Sequence, residues 1–82
     1  MSPELEYLIG EHEGLRYRLT DLKQAVGTDH QEWASGSLNG FVSALMWQEV
    51  IHPDTFHTIM MEVMALECEW EAENAAQFQA TA

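Results

Sequence analysis

The pair Glu49 and His52 is the clearest candidate for chemistry in this sequence. A carboxylate and an imidazole three residues apart lie on one face of a helix, and helical-bundle proteins use this Glu-x-x-His spacing to bind two metal ions. Such a site also needs bridging carboxylates, for which Glu11 and Glu13 are the candidates. His52 precedes Pro53, however, which places its imidazole at a helix end with poor ligand geometry. We therefore expect no metal site and no cofactor.

The sequence contains no recognisable catalytic motif. Cys68 is the only cysteine, and its neighbours Glu67 and Glu69 disfavour a thiolate nucleophile. There is no P-loop, no glycine-rich dinucleotide motif, no HExxH and no nucleophile elbow. We therefore expect that the protein is not an enzyme.

Ser37 and Leu38 give a limited resemblance to acyl carrier proteins, which are also small, acidic and helical. Those proteins hold phosphopantetheine on the serine of an Asp-Ser-Leu motif at the start of their second helix. Gly36 replaces the aspartate here, and the long first and third segments depart from that fold. An acyl-carrier-like function, with Ser37 as the modified residue, is a minor alternative.

The distribution of charge is the strongest indicator of function. The chain has 14 acidic and 3 basic residues, a net charge of −11, and no Lys or Arg after Lys23. Such a chain repels nucleic acids and anionic membranes and attracts basic surfaces. Like charges one helical turn apart, near a helix C-terminus, destabilise a helix unless a positive partner compensates them. The predicted partner-binding surface is acidic and consists of Glu62, Glu67, Glu69, Glu71 and Glu73.

Three helical segments, over about residues 3–26, 29–51 and 54–78, would position these groups. In the first segment, apolar residues recur with alternating spacings of three and four, which is typical of a helix seam. An alternative for residues 4–19 is a hairpin that turns at Glu11 to Gly14. The positions of the seam are Leu5, Leu8, His12, Leu15, Leu19, Leu22 and Val26.

The third segment is apolar on most of its circumference, since only Glu62 is polar between Ile59 and Leu66. Three helices cannot cover such a segment on all sides. We therefore expect an all-α, up-down-up bundle of three helices that packs as a homodimer. The predicted dimer interface consists of His12, Met60, Met61, Met64 and Trp70.

We expect the 82 residues to form a single domain without a secretory signal, and no apolar run approaches membrane-spanning length. A single cysteine fits a reducing cytoplasm, which is the expected location (the host cytoplasm if a phage encodes the protein). The predicted function is to inhibit or sequester a basic, nucleic-acid-binding protein by mimicking DNA phosphates. Phage anti-host proteins, antitoxins and immunity proteins have this physical profile. The alternative from another class is a structural helical oligomer.

Overall fold

A computed structural model describes the backbone of residues 1–81 and the side chains of residues 1–77. All regular secondary structure in the described residues is helical, so the predicted all-α class is confirmed. The predicted number of three helices is wrong, because the first segment forms two. The four helices are α1 (Pro3–Glu11), α2 (Glu13–Ala25), α3 (Gln31–Trp47) and α4 (Pro53–Thr81).

The first segment divides at His12, whose backbone is extended with φ −130° and ψ 93°. The His12 N–H still donates to the Leu8 carbonyl, and the His12 carbonyl accepts from the Leu15 N–H. The glycines on either side, Gly10 and Gly14, each weaken a helix by about 1 kcal/mol relative to alanine. The hairpin alternative is wrong, because helices and not strands flank the break.

Gly14 brings α2 close to α3. A Cβ added to Gly14 would meet the Phe41 ring at 2.9 Å. The Arg18 guanidinium lies 4.6 Å from the centroid of the same ring and donates to the Gly14 carbonyl at 3.1 Å. The His12 ring lies edge-on to Phe41, with 6.5 Å between their centroids. His12 therefore packs on α3 within the chain.

The core lies where the apolar faces of the four helices meet. Every buried side chain among those described is apolar. Residues of the predicted seam form much of this core, and His12 is the only one of them that is half-buried. The largest fully buried side chains are Leu5, Leu15, Leu22, Leu38, Val42 and Ile59.

The turn between α2 and α3 is fixed by Gly27 and Gln31. Gly27 has φ +82°, and a Cβ there would overlap the side-chain amide of Asn74 in α4. The Gln31 Oε1 accepts from the Gly27 N–H at 3.0 Å, and its Nε2 donates to Glu67 Oε2 at 2.8 Å. Because the Gln31 side chain binds the turn, it does not cap a helix that starts at the predicted residue 29. Instead, α3 begins at Gln31.

The helix α3 ends at Trp47, before the predicted end, in a Schellman motif. The Val50 N–H donates to the Leu45 carbonyl at 2.9 Å, and the Glu49 N–H donates to the Met46 carbonyl at 3.0 Å. Glu49 has φ 61°, a left-handed conformation that glycine usually supplies at this position. The chain then turns and enters α4.

The 29 residues of α4 give it a length of about 43 Å, and the molecule measures 47 × 23 × 19 Å. Ile59 and Val63 are buried in the core, whereas Met61 and Met64 are exposed on the opposite face. From residue 71 to residue 77 every side chain is exposed. Over the part of the chain that the structure describes, no helix has both the length and the apolarity needed to span a membrane.

Candidate functional site

Glu62, the first residue of the predicted acidic surface, is engaged within the fold. Its carboxylate accepts from the Ser2 N–H at 2.6 Å and from the Ser2 hydroxyl at 2.5 Å. The Ser2 Oγ in turn accepts from the Leu5 N–H at 3.2 Å and so caps α1. Glu62 therefore fixes the start of α1 on α4, and its side chain is half-buried.

Glu67 is half-buried and also has a partner, because it accepts from Gln31 Nε2. It lines an open cleft of about 460 Å³ between α4 and the start of α3. Asp29 and Glu32 line the same cleft, so three carboxylates surround it. This end of the bundle is acidic beyond α4 itself, a feature that the predicted surface did not include.

Glu69, Glu71 and Glu73 form the exposed part of the predicted surface. We call these three residues the α4 acidic surface. Glu71 follows Glu67 by one turn, whereas Glu73 lines a cleft with Lys23 near the end of α2. Among the described residues the side-chain ion pair is Arg16–Glu13, and the histidine–carboxylate contacts are His30–Asp21 and His52–Asp54, so none of these contacts includes the α4 acidic surface.

Lys23 is the basic residue nearest to this end of α4. Its Nζ lies 5.9 Å from the centroid of the Trp70 ring. The contact is cation–π in character and leaves the Glu73 carboxylate without a salt bridge. The α4 acidic surface therefore keeps its negative charge unpaired and exposed to solvent.

The residues of the predicted dimer interface differ in their exposure. His12, Met60 and Trp70 are half-buried and pack within the chain. Met61 and Met64 are 56% and 58% exposed on the outer face of α4. The two methionines are therefore the most exposed residues of the predicted interface.

The Glu-x-x-His spacing does not place its two side chains on one helix, because α3 ends before Glu49. The His52 Nδ1 accepts from the Asp54 N–H at 3.1 Å, at the start of α4. This backbone contact occupies the ring nitrogen that faces the helix. Within the described residues, no three Asp, Glu, His or Cys side chains are close enough to hold a metal ion.

Ser37 lies inside α3 and is half-buried, and its neighbour Leu38 is fully buried. The serine of the acyl carrier motif stands at the start of a helix. Ser37 does not occupy that position, so the resemblance does not extend to the local structure.

A second surface, which the sequence reasoning did not identify, surrounds the turn between α3 and α4. Trp47 is 79% exposed, Val50 is 51% exposed, and Tyr7 of α1 is 66% exposed. The buried positions of α3 are Ala34, Leu38, Val42 and Leu45. Trp47 lies outside this spacing, which was the available signal that its side chain would face solvent.

The fold and these surfaces define the protein as an all-helical bundle with an acidic exterior. Comparisons with known protein families, with curated proteins and with solved structures find no match to this chain. Its function is therefore inferred from the chemistry of its own surfaces.

Proposed function

We propose that the protein acts by binding, without catalysis, and that its partner presents a basic surface to the α4 acidic surface. The observation that carries this proposal is the unpaired exposure of Glu69, Glu71 and Glu73. Glu69 and Glu73 are a like-charge pair one helical turn apart, which destabilises a helix by about 0.2–0.5 kcal/mol. A positively charged partner would remove this repulsion on binding.

The chemistry of the partner follows from the charge. Lys and Arg side chains that normally contact nucleic-acid phosphates would meet carboxylates spaced along a helix. Asp29 and Glu32, beside Glu67, extend the negative field at the same end of the molecule. The protein would thus occupy a nucleic-acid-binding groove and inhibit or sequester its owner, as phage anti-host proteins, antitoxins and immunity proteins do. The cytoplasm is the proposed location.

A charge-matched pair of variants tests this proposal. The first variant, Glu69→Gln, Glu71→Gln and Glu73→Gln, neutralises the α4 acidic surface. The control, Glu6→Gln, Glu13→Gln and Asp54→Asn, removes the same charge from exposed positions elsewhere. Each protein is immobilised, incubated with cell lysate and eluted in a salt gradient.

We expect the retained basic protein to elute from the first variant at lower salt than from the wild type and the control. The nucleic acid that the retained protein normally binds should compete with the immobilised protein for it. Equal elution from the two variants would reduce the α4 acidic surface to a solubilising role.

A second candidate function is a structural homodimer, which the exposed Met61 and Met64 favour. Ala65 and Cys68 lie on the same outer face of α4 as the two methionines, so this face carries no charge between residues 61 and 68. Sedimentation of the wild type and of Met61→Gln/Met64→Gln at several concentrations tests this alternative. A dimer that the double variant abolishes would support it, and a monomer at micromolar concentration would exclude it.

A further inference from the structure

Exposed aromatic and aliphatic side chains cluster around the turn between α3 and α4. We call Tyr7, Trp47, Glu49, Val50 and His52 the α3–α4 turn surface. Tryptophan and tyrosine are the residues most enriched among those that dominate protein–protein binding energies. The 79% exposure of Trp47 leaves nearly its whole side chain available to a partner.

Two open clefts lie on either side of this turn, and both are lined by Val50, Ile51 and His52. The first, of about 670 Å³, lies against α1 and includes Tyr7. The second, of about 700 Å³, lies against the end of α3 and includes Trp47. The turn is thus a ridge between two depressions, each large enough to receive apolar side chains of a partner.

The ionisable side chains along these clefts are glutamates and histidines. Glu4 and Glu11 line the first cleft, and Glu49 lines the second. The histidines that line the clefts are His12 and His52, and no described Lys or Arg side chain lines either cleft. A basic segment is therefore attracted to this surface. An anionic membrane is repelled, and a second copy of the chain would bring like carboxylates together.

The left-handed backbone conformation of Glu49 is a separate indication that this turn is a functional site. A left-handed conformation costs a residue with a Cβ about 1–2 kcal/mol, and glycine would avoid this cost. Strained residues of this kind concentrate at functional sites. Glu49 places a carboxylate at the turn, beside Trp47, where glycine would leave none.

We propose that the α3–α4 turn surface is a second docking site, which takes a protein segment with apolar anchors flanked by Lys or Arg. The anchors would enter the two clefts, and the basic groups would pair with Glu4, Glu11 and Glu49 or lie over the Trp47 ring. The site goes beyond the proposed function and uses different residues. Along α4, Glu69 lies about 24 Å from Pro53, which adjoins the turn.

Designed peptides test this site directly. Three helical peptides of 16 residues share one leucine pattern and carry Lys, Gln or Glu at every polar position. Each is titrated into the full-length, ¹⁵N-labelled protein that carries Glu69→Gln, Glu71→Gln and Glu73→Gln. In this background the α4 acidic surface cannot attract the peptide, so the result does not depend on the proposed function.

We expect the Lys peptide to shift the Trp47 indole N–H and the amides of residues 49–52, and the Glu peptide to shift neither. Trp47→Ala should weaken binding about tenfold or more, as expected for a central aromatic anchor, and Glu49→Gln about threefold, as expected for one exposed ion pair. Trp33→Ala is the matched control, because Trp33 is 64% exposed but stacks on His30 away from the turn. Circular dichroism confirms that each variant is folded.

Three results would overturn the proposal. The Lys peptide could leave the Trp47 signal unmoved. The three peptides could shift it equally, which would exclude selection by charge. The signals of the turn could also move with protein concentration alone, in which case a second copy of the chain occupies this surface.

Discussion

Replacing Glu49 with glycine should stabilise the protein, although glycine usually weakens helical proteins. Glu49 holds the left-handed position of the Schellman motif after α3, with φ 61°. Relief of that conformation contributes about 1–2 kcal/mol. The greater freedom of glycine in the unfolded chain offsets about 0.5–1 kcal/mol of this gain. The net increase in the free energy of unfolding is therefore about 0.5–1 kcal/mol. For a domain of this size it corresponds to a rise in Tm of roughly 3–6 °C.

Thermal and urea unfolding of Glu49→Gly and Glu49→Ala measure this effect. The alanine variant loses the same charge but keeps a Cβ in the left-handed conformation, so its Tm should equal or fall below that of the wild type. The glycine variant should also bind the Lys peptide more weakly, because it lacks the carboxylate. Stability and binding would then change in opposite directions at one residue. If the Tm of the glycine variant is no higher than the Tm of the alanine variant, the strain assigned to Glu49 is absent.

Other substitutions separate positions that look alike in the sequence. Gly27→Ala should lower the free energy of unfolding by at least about 1–2 kcal/mol, because Gly27 has positive φ and a Cβ would overlap Asn74. Gly10→Ala should raise the free energy of unfolding by up to about 1 kcal/mol, since a Cβ on Gly10 meets nothing within 4 Å. Urea unfolding compares the two alanine variants. If both variants changed stability in the same direction, the packing described for Gly27 would be contradicted. Glu62→Ala should cost about 1–3 kcal/mol through its lost hydrogen bonds to Ser2, whereas Glu69→Ala should change stability by less than about 0.5 kcal/mol. A similar loss at both glutamates, measured by chemical denaturation, would show that Glu62 has no special structural role. Leu38→Ala should cost about 2–5 kcal/mol, because Leu38 is fully buried, and a thermal midpoint near that of the wild type would contradict this core position.

The core of the first half was predictable because a local periodicity determines it. The spacing that places Leu5, Leu8 and Leu15 on one side of a helix remains in phase across His12. For the same reason, the spacing gave no sign that the helix ends there. The close approach of Phe41 to Gly14, beside the break, is a contact with a residue of another helix and is equally invisible to the spacing.

The α4 acidic surface and the α3–α4 turn surface also differ in how far the sequence predicts them. The sequence shows that the last helix is acidic. It does not show that Glu62 is bonded within the fold whereas Glu69 is exposed to solvent. Glu62 is taken into the fold by Ser2, 60 residues away. The early end of α3 was missed because a helix end of this type normally carries glycine, and Glu49 gives no such signal.

The uneven packing of α4 implies a gradient in amide hydrogen exchange along one continuous helix. Near Ile59 and Val63, opening the helix exposes buried core, so these amides should exchange only when much of the protein unfolds. Between residues 71 and 77 the side chains are exposed, and local opening there disturbs little of the core. The α4 acidic surface thus spans the transition from slow to fast exchange. A bound partner that holds this end of the helix would be detected as a loss of the gradient.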